Sequence, residues 1–195
     1  MNQDRFERAI AAFDAANAED PHRLVVGGEP RPRELVHAER VSAWVERLAP
    51  NASEPLRLAA RCQHIRRWQI PRTSYPAGRV GYLQWRTELA RFHADTAASI
   101  LDELGYEREL IDAVRRINVK QGIRSNPDTQ TMEDALCLEF LESEFDDFAR
   151  KHPPETVIGV LQKTWKKMSA RGHELALNLP FSAPARELVT RALQN

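Results

Sequence analysis

The sequence predicts an all-α fold, in a single helical domain of about seven or eight helices with no sheet. Apolar residues repeat at steps of three and four over most of the chain, as Val41, Trp44 and Leu48 do, and this is the spacing of one helix face. Prolines and glycines fall between these segments, where helices begin and end. No run of β-branched residues alternates as a strand would require.

The predicted helices are separated by recognisable end signals. Ser53 is a good N-cap for the third helix. Gly172 is predicted to end the helix that starts at residue 154. Residues 21–32 hold three prolines and Gly27-Gly28, and they are predicted to form an ordered or partly mobile loop. The predicted helices span residues 4–19, 33–48, 53–68, 79–104, 107–119, 131–150 and 154–171, with a short last helix from residue 184.

Composition restricts the class of protein. Of 195 residues, 42% are apolar and 29% are charged, which is typical of a globular chain. The formal net charge is zero, so nucleic acid is not expected as a partner. No run approaches the ~20 apolar residues that span a bilayer, and the N-terminus lacks a signal-peptide core, so we expect no membrane partner and a cytoplasmic location. Cys62 and Cys137 lie in apolar runs and are expected to be buried thiols. The sequence does not fix the oligomeric state, and a homodimer is one possibility.

Four predicted helices each place a residue of a metal-binding type on or beside an apolar stripe. These residues are His37, His64, His93 and Asp134. Burying a carboxylate without a partner is costly, so Asp134 is expected to be paired or solvated. Three imidazoles and a carboxylate converging from separate helices would suit a divalent transition metal ion, which makes a nucleophile of bound water at neutral pH. The sequence therefore predicts one metal site from these four residues.

Each of these residues also has a structural alternative. A single histidine on an apolar helix face is more often a hydrogen-bonded core residue than a metal ligand. Thr131 and Asp134 fit the capping-box spacing, with Asp134 at the third helical position reaching back to the backbone of Thr131. The sequence leaves the choice between a metal ligand and a helix cap open.

The order of these residues resembles that of the HD superfamily of metal-dependent phosphohydrolases, over about residues 33–148. His37 matches the first histidine of that superfamily, and Asp134 matches its last aspartate. Gln63-His64 stands where the superfamily has a His-Asp pair, so one anionic ligand is missing. His93 falls where some two-metal members carry an extra histidine. The resemblance implies an HD-like helical core, a divalent metal ion and phosphohydrolase activity, with residues 154–194 as additional C-terminal helices.

A second set of motifs covers nearly the whole chain and resembles domain-of-unknown-function family 4202. The name of this family implies a shared fold and no particular reaction. The motifs that carry the resemblance are residues 63–68, 71–76, 81–86, 133–134 and 163–169.

Arginines alternate with aromatic residues over residues 66–86. Guanidinium groups bind phosphate, sulfate or carboxylate bidentately and stack on aromatic rings, so this cluster is the expected site for a small anionic ligand. The alternative is a set of surface arginines paired with nearby acids such as Glu88 and Asp95. The residues predicted to bind the anion are Arg67, Arg72, Arg79 and Arg86.

Three classes of function are compatible with these patterns. The first is a metal-dependent hydrolase acting on a small phosphate-type anion, in which Glu133 acts as a base or orients a metal ligand. The second is a module that binds an anionic ligand without turnover, with Gln63 marking lost catalysis. The third is a nucleic-acid partner using residues 66–68 and 163–167, against which the zero net charge argues.

Overall fold

Helices dominate the computed structural model, which describes residues 2–123 and 125–194. The prediction of an all-α fold is confirmed, with ten α-helices among the described residues rather than seven or eight. None of the helices in these two ranges is long and apolar enough to cross a membrane. The helices are α1 Gln3–Ala18, α2 Arg33–Leu48, α3 Glu54–Cys62, α4 Gly78–Glu103, α5 Arg108–Asn118, α6 Pro127–Ser143, α7 Phe145–Lys151, α8 Pro154–Trp165, α9 Ala170–Leu177 and α10 Ala183–Leu193.

A β-hairpin replaces the predicted loop at residues 21–32. Strands β1 Arg23–Val26 and β2 Glu29–Pro32 pair antiparallel. Gly27 and Gly28 have φ angles of 60° and 90°, and this pair of positive φ values is what a two-residue hairpin turn requires. The prolines of β2 are tolerated because each strand of a two-stranded sheet has an unpaired edge. The prediction of no sheet is therefore wrong at this position, although the fold class is unaffected.

The predicted helix at residues 131–150 is two helices, and it starts earlier than expected. α6 begins at Pro127, where the side chain of Asn126 accepts hydrogen bonds from the backbone N–H groups of Asp128 and Thr129. Thr131 is therefore inside the helix, and the capping-box interpretation of Asp134 is wrong.

Gly172 does not end a helix. α8 ends at Trp165, and Ser169 caps a new helix, α9, by accepting a hydrogen bond from the backbone N–H of Gly172. A Cβ atom on Gly172 would lie 2.9 Å from Oδ1 of Asp134 on α6. Glycine is therefore needed at this position because α9 packs closely against α6, and the prediction of a C-terminal glycine was wrong.

The apolar core lies between α2, α3, α5 and α6, with α4 across one side. The C-terminal half of α4 buries Ala94, Ala97 and Leu101 in this core. Its N-terminal half is mostly exposed, and Val80 and Leu83 face solvent. The middle of α4 forms one wall of the site described next. The largest fully buried side chains are Phe13, Trp44, Leu56, Leu58, Ile65, Leu101, Ile117, Met132, Leu138 and Phe145.

Candidate functional site

Three histidines predicted to converge lie next to one another. His37 is on α2, His64 follows the end of α3, and His93 is on α4. The rings of His37 and His64 stack with centroids 4.3 Å apart and planes 9° apart. The ring centroids of His64 and His93 are 5.7 Å apart. The structure therefore brings together the imidazoles of three separate elements.

His93 is a neutral imidazole with one nitrogen unused. Its Nδ1 lies 2.7 Å from the carbonyl oxygen of Ile65, and because a carbonyl can only accept, Nδ1 carries the proton. Burial lowers the pKa of His93 to about 3, against the opposing effect of the hydrogen bond to Ile65. Nε2 therefore carries a lone pair, and it is buried without a hydrogen-bond partner. A lone pair held in this way can bind a metal ion or accept a proton.

His64 is also neutral at physiological pH. Desolvation lowers its pKa well below 6.5, and electrostatic interactions with His37 and Arg67 lower it further. Its Nδ1 lies 3.7 Å from Oε2 of Glu34, a buried residue at the start of α2. Burial raises the pKa of Glu34, although His37 and Arg67 oppose that effect. The ring is thus positioned among other polar side chains rather than in the apolar core.

A cavity of about 440 Å³ opens beside His64 and His93, between the end of α3, the middle of α4 and the end of α5. We call it the histidine cavity. Among the described residues, its lining includes four cationic side chains and no acidic side chain. Such a lining is typical of a site for an anion. Its polar lining residues are Gln63, His64, Arg67, Arg86, Thr87, Arg91, His93, Asn118 and Lys120.

Two buried amides of the histidine cavity have carbonyl oxygens without donors. Asn118 is 1% exposed, and its Nδ2 donates to Sγ of Cys62, 3.3 Å away. The Cys62 thiol donates to the carbonyl of Ala59, so the sulfur is the acceptor for Asn118, and Oδ1 of Asn118 has no partner. Gln63 is 5% exposed, and its Oε1 has no partner either. Leaving a buried acceptor unpaired costs about 1–3 kcal/mol, so a ligand or a water molecule that donates to these oxygens would offset that cost.

Both cysteines are buried free thiols, as the sequence predicts. Burial raises the pKa of Cys62 to about 12, and burial raises that of Cys137 to about 12 as well. Thiols with such pKa values are inert as nucleophiles at neutral pH.

The predicted arginines occupy two different environments. Arg67 and Arg86 line the histidine cavity, and the guanidinium of Arg67 lies 5.1 Å from the ring centroid of Trp85. Burial lowers the pKa of Arg67, while Glu34 opposes that effect; the guanidinium stays charged at any physiological pH. Arg72 instead donates to backbone carbonyls of its own loop, at Tyr75 and Pro76. Arg79 is exposed and is not part of the cavity lining, whereas Arg91, which sequence analysis missed, is.

Lys120 brings a further cation to the cavity through an unusual backbone conformation. Its φ of 59° lies in the left-handed region, which residues with a Cβ rarely adopt. Its ammonium contacts Oε2 of Glu133, and Nζ of Lys167 lies 3.5 Å from Oε1. Burial opposes ionisation of Glu133, but the two ammonium groups outweigh burial and lower its pKa. Glu133, predicted to act as a base or to orient a metal ligand, is thus an ion-pair partner of Lys120, and its catalytic role remains a prediction.

Asp134 lies away from the histidine cluster. Its Oδ1 accepts hydrogen bonds from the backbone N–H of Ser169 at 2.8 Å and from Nε2 of Gln130 at 3.1 Å. Its Oδ2 accepts a hydrogen bond from the hydroxyl of Ser169 at 2.5 Å. Both oxygens are therefore used to hold the start of α9 against α6. Asp134 is not brought together with the histidines, and its metal-binding role remains a prediction.

A different set of potential metal ligands is gathered beside the cavity. Ligand atoms of His37, Glu139 and Glu144 lie within 4.8 Å of one another, which no other such group does among residues 2–123 and 125–194. Nδ1 of His37 is 3.3 Å from Oε2 of Glu139, and Glu139 is buried. Sequence analysis missed Glu139, although an acidic residue inside the apolar run of residues 135–141 is a signal for a buried carboxylate.

The fold and the site define an all-α protein with a cationic cavity that contains histidine. The model of the family described as a domain of unknown function, DUF4202, matches residues 7–189, and the chain belongs to this family. This match confirms the corresponding resemblance seen in the sequence, while the resemblance to the HD superfamily remains a prediction. No curated protein and no solved structure matches the chain.

Proposed function

We propose that this protein is a hydrolase that acts on a small phosphate-type anion bound in the histidine cavity. The observation that carries the proposal is the lining of the cavity, where Arg67, Arg86, Arg91 and Lys120 meet without any acidic side chain. In a chain whose formal net charge is zero, this local excess of cations favours an anionic ligand.

Two of the cavity arginines, Arg86 and Arg91, have no carboxylate partner among the described residues, 2–123 and 125–194. Several other arginines are paired closely, as in Arg31 with Glu39, 2.7 Å, and Arg57 with Glu46, 2.8 Å. Unpaired guanidinium groups on a cavity wall are free to form bidentate hydrogen bonds with an oxyanion. The two unpaired guanidinium groups of this wall therefore add to the support for an anion site.

The neutral imidazole of His93 would accept a proton in the proposed reaction. Hydrolysis forms a bond between a water oxygen and phosphorus and breaks the ester P–O bond. One water proton passes to Nε2 of His93 and then to the leaving oxygen. Arg67 and Arg86 contribute to the low pKa of His93, so a bound phosphate that neutralises them would raise this pKa towards the useful range. The same guanidinium groups would stabilise the charge that develops on the phosphoryl oxygens.

A divalent metal ion would be held by His37, Glu139 and Glu144. An imidazole with two carboxylates is a suitable donor set for a divalent first-row metal ion. When bound, such an ion supplies a water of lowered pKa as the nucleophile. His37 stacks on His64, a cavity residue, so the ligand set borders the proposed phosphate site. We favour this set over one that includes Asp134, because Ser169 and Gln130 already use both oxygens of Asp134.

The alternative function is an anion-binding module without turnover. Gln63 favours it, because an amide is a poor metal ligand at the position where the HD superfamily has histidine. The binding site would be the same, and only the chemical step would be missing.

Phosphate binding tests the shared part of both functions. We expect inorganic phosphate at one hundred times its Kd to stabilise the protein by about 2.7 kcal/mol, because it binds only the folded state. Arg86→Ala should remove most of this stabilisation. Arg79→Ala is the matched control on the same helix, and it should leave the response unchanged because Arg79 is not part of the cavity lining. Equal responses of the two variants would overturn the site.

Turnover separates the two functions. With Mn²⁺ or Zn²⁺ present, an aryl phosphate should be hydrolysed by the wild type. His93→Gln should abolish hydrolysis and retain phosphate binding. Glu139→Gln should reduce both metal content and turnover, since it removes a carboxylate from the proposed ligand set. Phosphate binding by the wild type without hydrolysis under these conditions would assign the protein to the binding class.

A further inference from the structure

A second cavity, of about 560 Å³, continues from the histidine cavity along the surface between α4 and α5. We call it the α4–α5 groove. The two cavities share Arg91 and Val119, so a ligand in one can extend into the other. The groove is lined by Arg91, Asp95, Asp112, Arg115, Arg116 and Val119, with Ala94 and Gln121.

The acidic residues of the groove are already paired. The carboxylate of Asp95 contacts the guanidinium of Arg115, and Asp112 pairs with Arg108 at 3.7 Å. Arg116 has no carboxylate partner in the part of the chain that the structure describes, and neither does Arg91. The uncompensated charge of the groove is therefore positive and belongs to Arg91 and Arg116.

The cationic positions are spread along α4 and α5. Arg86 and Arg91 are five residues apart on α4, or about 7.5 Å along the helix axis at 1.5 Å per residue. Arg116, on α5, lines the groove and not the histidine cavity. Val119, which is 42% exposed, lies between the two cationic positions and offers them an apolar surface.

Buried polar groups without partners line the histidine cavity, and they indicate that this cavity, rather than the groove, is the main binding site. His93, Gln63 and Asn118 line the histidine cavity and are each more than nine-tenths buried, and each has a buried polar atom without a partner among the described residues. The groove has no such buried group among its described lining residues. The groove therefore serves as an extension of the site rather than as a separate centre.

We propose that the ligand carries two anionic groups joined by a neutral spacer. The first group occupies the histidine cavity beside Arg67 and Arg86, and the second lies in the α4–α5 groove between Arg91 and Arg116. The spacer rests on Val119. This inference relies on the proposed anion site and adds that a single phosphate fills only part of it.

A series of synthetic phosphates tests the second position. The probes are inorganic phosphate, monoalkyl phosphates, and α,ω-alkanediyl bisphosphates of two to six carbons, with binding measured by calorimetry. We expect the best bisphosphate to bind at least about tenfold more tightly than the monoalkyl phosphate of equal length, since a second charge-assisted pair is formed. Arg116→Ala should remove this gain and leave inorganic phosphate binding unchanged. Arg86→Ala should weaken both, and Arg79→Ala should weaken neither.

The outcomes separate this inference from the proposed function. If inorganic phosphate binds and the bisphosphates gain nothing over the monoalkyl phosphates, the second position is wrong while the first stands. If inorganic phosphate fails to bind, both are overturned. Arg116→Lys, which keeps the charge on the same exposed helix position, should retain part of the gain. Unchanged circular dichroism of each variant verifies that the fold is intact.

Discussion

At the scale of single residues, a buried polar side chain can be interpreted from the partners it has. Asp134 and His93 both look like buried metal ligands in the sequence, because each lies on an apolar helix stripe. In the structure both carboxylate oxygens of Asp134 accept hydrogen bonds from Ser169 or Gln130. Nε2 of His93, by contrast, has no hydrogen-bond partner among the described residues. The sequence could not separate the two, because Ser169 is 35 positions from Asp134 and reaches it only through tertiary packing.

The buried neutral state of His93 predicts an acid-dependent loss of stability. The pKa of His93 falls from 6.5 to about 3 on folding. Above pH 6.5 both folded and unfolded states are neutral, so His93 contributes no pH dependence. Between pH 6.5 and 3 only the unfolded chain takes up the proton, so stability falls by up to about 1.4 kcal/mol per pH unit from this residue. Urea unfolding of the wild type and of His93→Gln between pH 7 and 4 measures the difference.

His93→Gln is also the control for this pH dependence, because it lacks the imidazole. His93→Gln should show a shallower pH dependence than the wild type, even where its stability at pH 7 is lower. Parallel curves for the two proteins would mean that the pKa of His93 does not change on folding, contrary to its burial.

At the scale of elements, periodicity predicted where most helices lie but not where neighbouring helices divide. α4 agrees with its predicted bounds to within a residue, because residues 79–104 keep a helical apolar pattern and Gly105 follows it with a φ of 74°. The predicted helix at residues 154–171 failed, because the break after Trp165 is stabilised by Ser169 bonding to α6. The hairpin at residues 23–32 was missed because its second strand contains two prolines, which argue against a strand.

Two glycines inside helices give a matched test of the α6–α9 packing. Alanine is favoured over glycine in a helix interior by roughly 0.5–1 kcal/mol. A Cβ at Gly159 in α8 would have no atom within 4 Å, so Gly159→Ala should raise the melting temperature. A Cβ at Gly172 would lie 2.9 Å from Asp134, and overpacking of this kind costs about 1–3 kcal/mol, so Gly172→Ala should lower it. Thermal unfolding of both variants measures the two changes in melting temperature, which should have opposite signs.

The same pair tests the role of Asp134. Phosphate should stabilise both alanine variants as much as it stabilises the wild type, because Gly172 and Asp134 are not part of the cavity lining. A Gly172→Ala protein of normal stability that has lost metal or phosphate binding would instead support Asp134 as a ligand.

At the scale of the whole molecule, charge is balanced in total and unbalanced locally. The zero net charge predicts no strong electrostatic field around the whole protein. It gives no indication of a cavity whose described lining residues include cations and no carboxylate. Glu133 has a particular place in this balance. It lies on α6, contacts Lys120 after α5 and Lys167 after α8, and thereby ties three parts of the chain to the cavity wall.

Removing the charge of Glu133 is expected to change stability and anion affinity in opposite directions. Glu133→Gln breaks a buried pair with two lysines, and because both lysines are partly exposed we expect a loss of about 1–3 kcal/mol rather than more. The same change leaves Lys120 without its counter-charge beside the cavity, so inorganic phosphate should bind several-fold more tightly. Urea unfolding and calorimetry measure the two effects.

The pH dependence of this variant identifies the ion pair as the cause. The pKa of Glu133 is lowered from 4.5 on folding, so its contribution is fully present above pH 4.5 and is lost as pH falls through the lower folded value. The stability difference between the wild type and Glu133→Gln should therefore be constant from pH 7 to about 5 and shrink in stronger acid. If Glu133 were instead the catalytic base, Glu133→Gln would abolish hydrolysis of the aryl phosphate even though phosphate still binds. The simultaneous loss of stability and gain of affinity is the result that a positioning role for Glu133 requires.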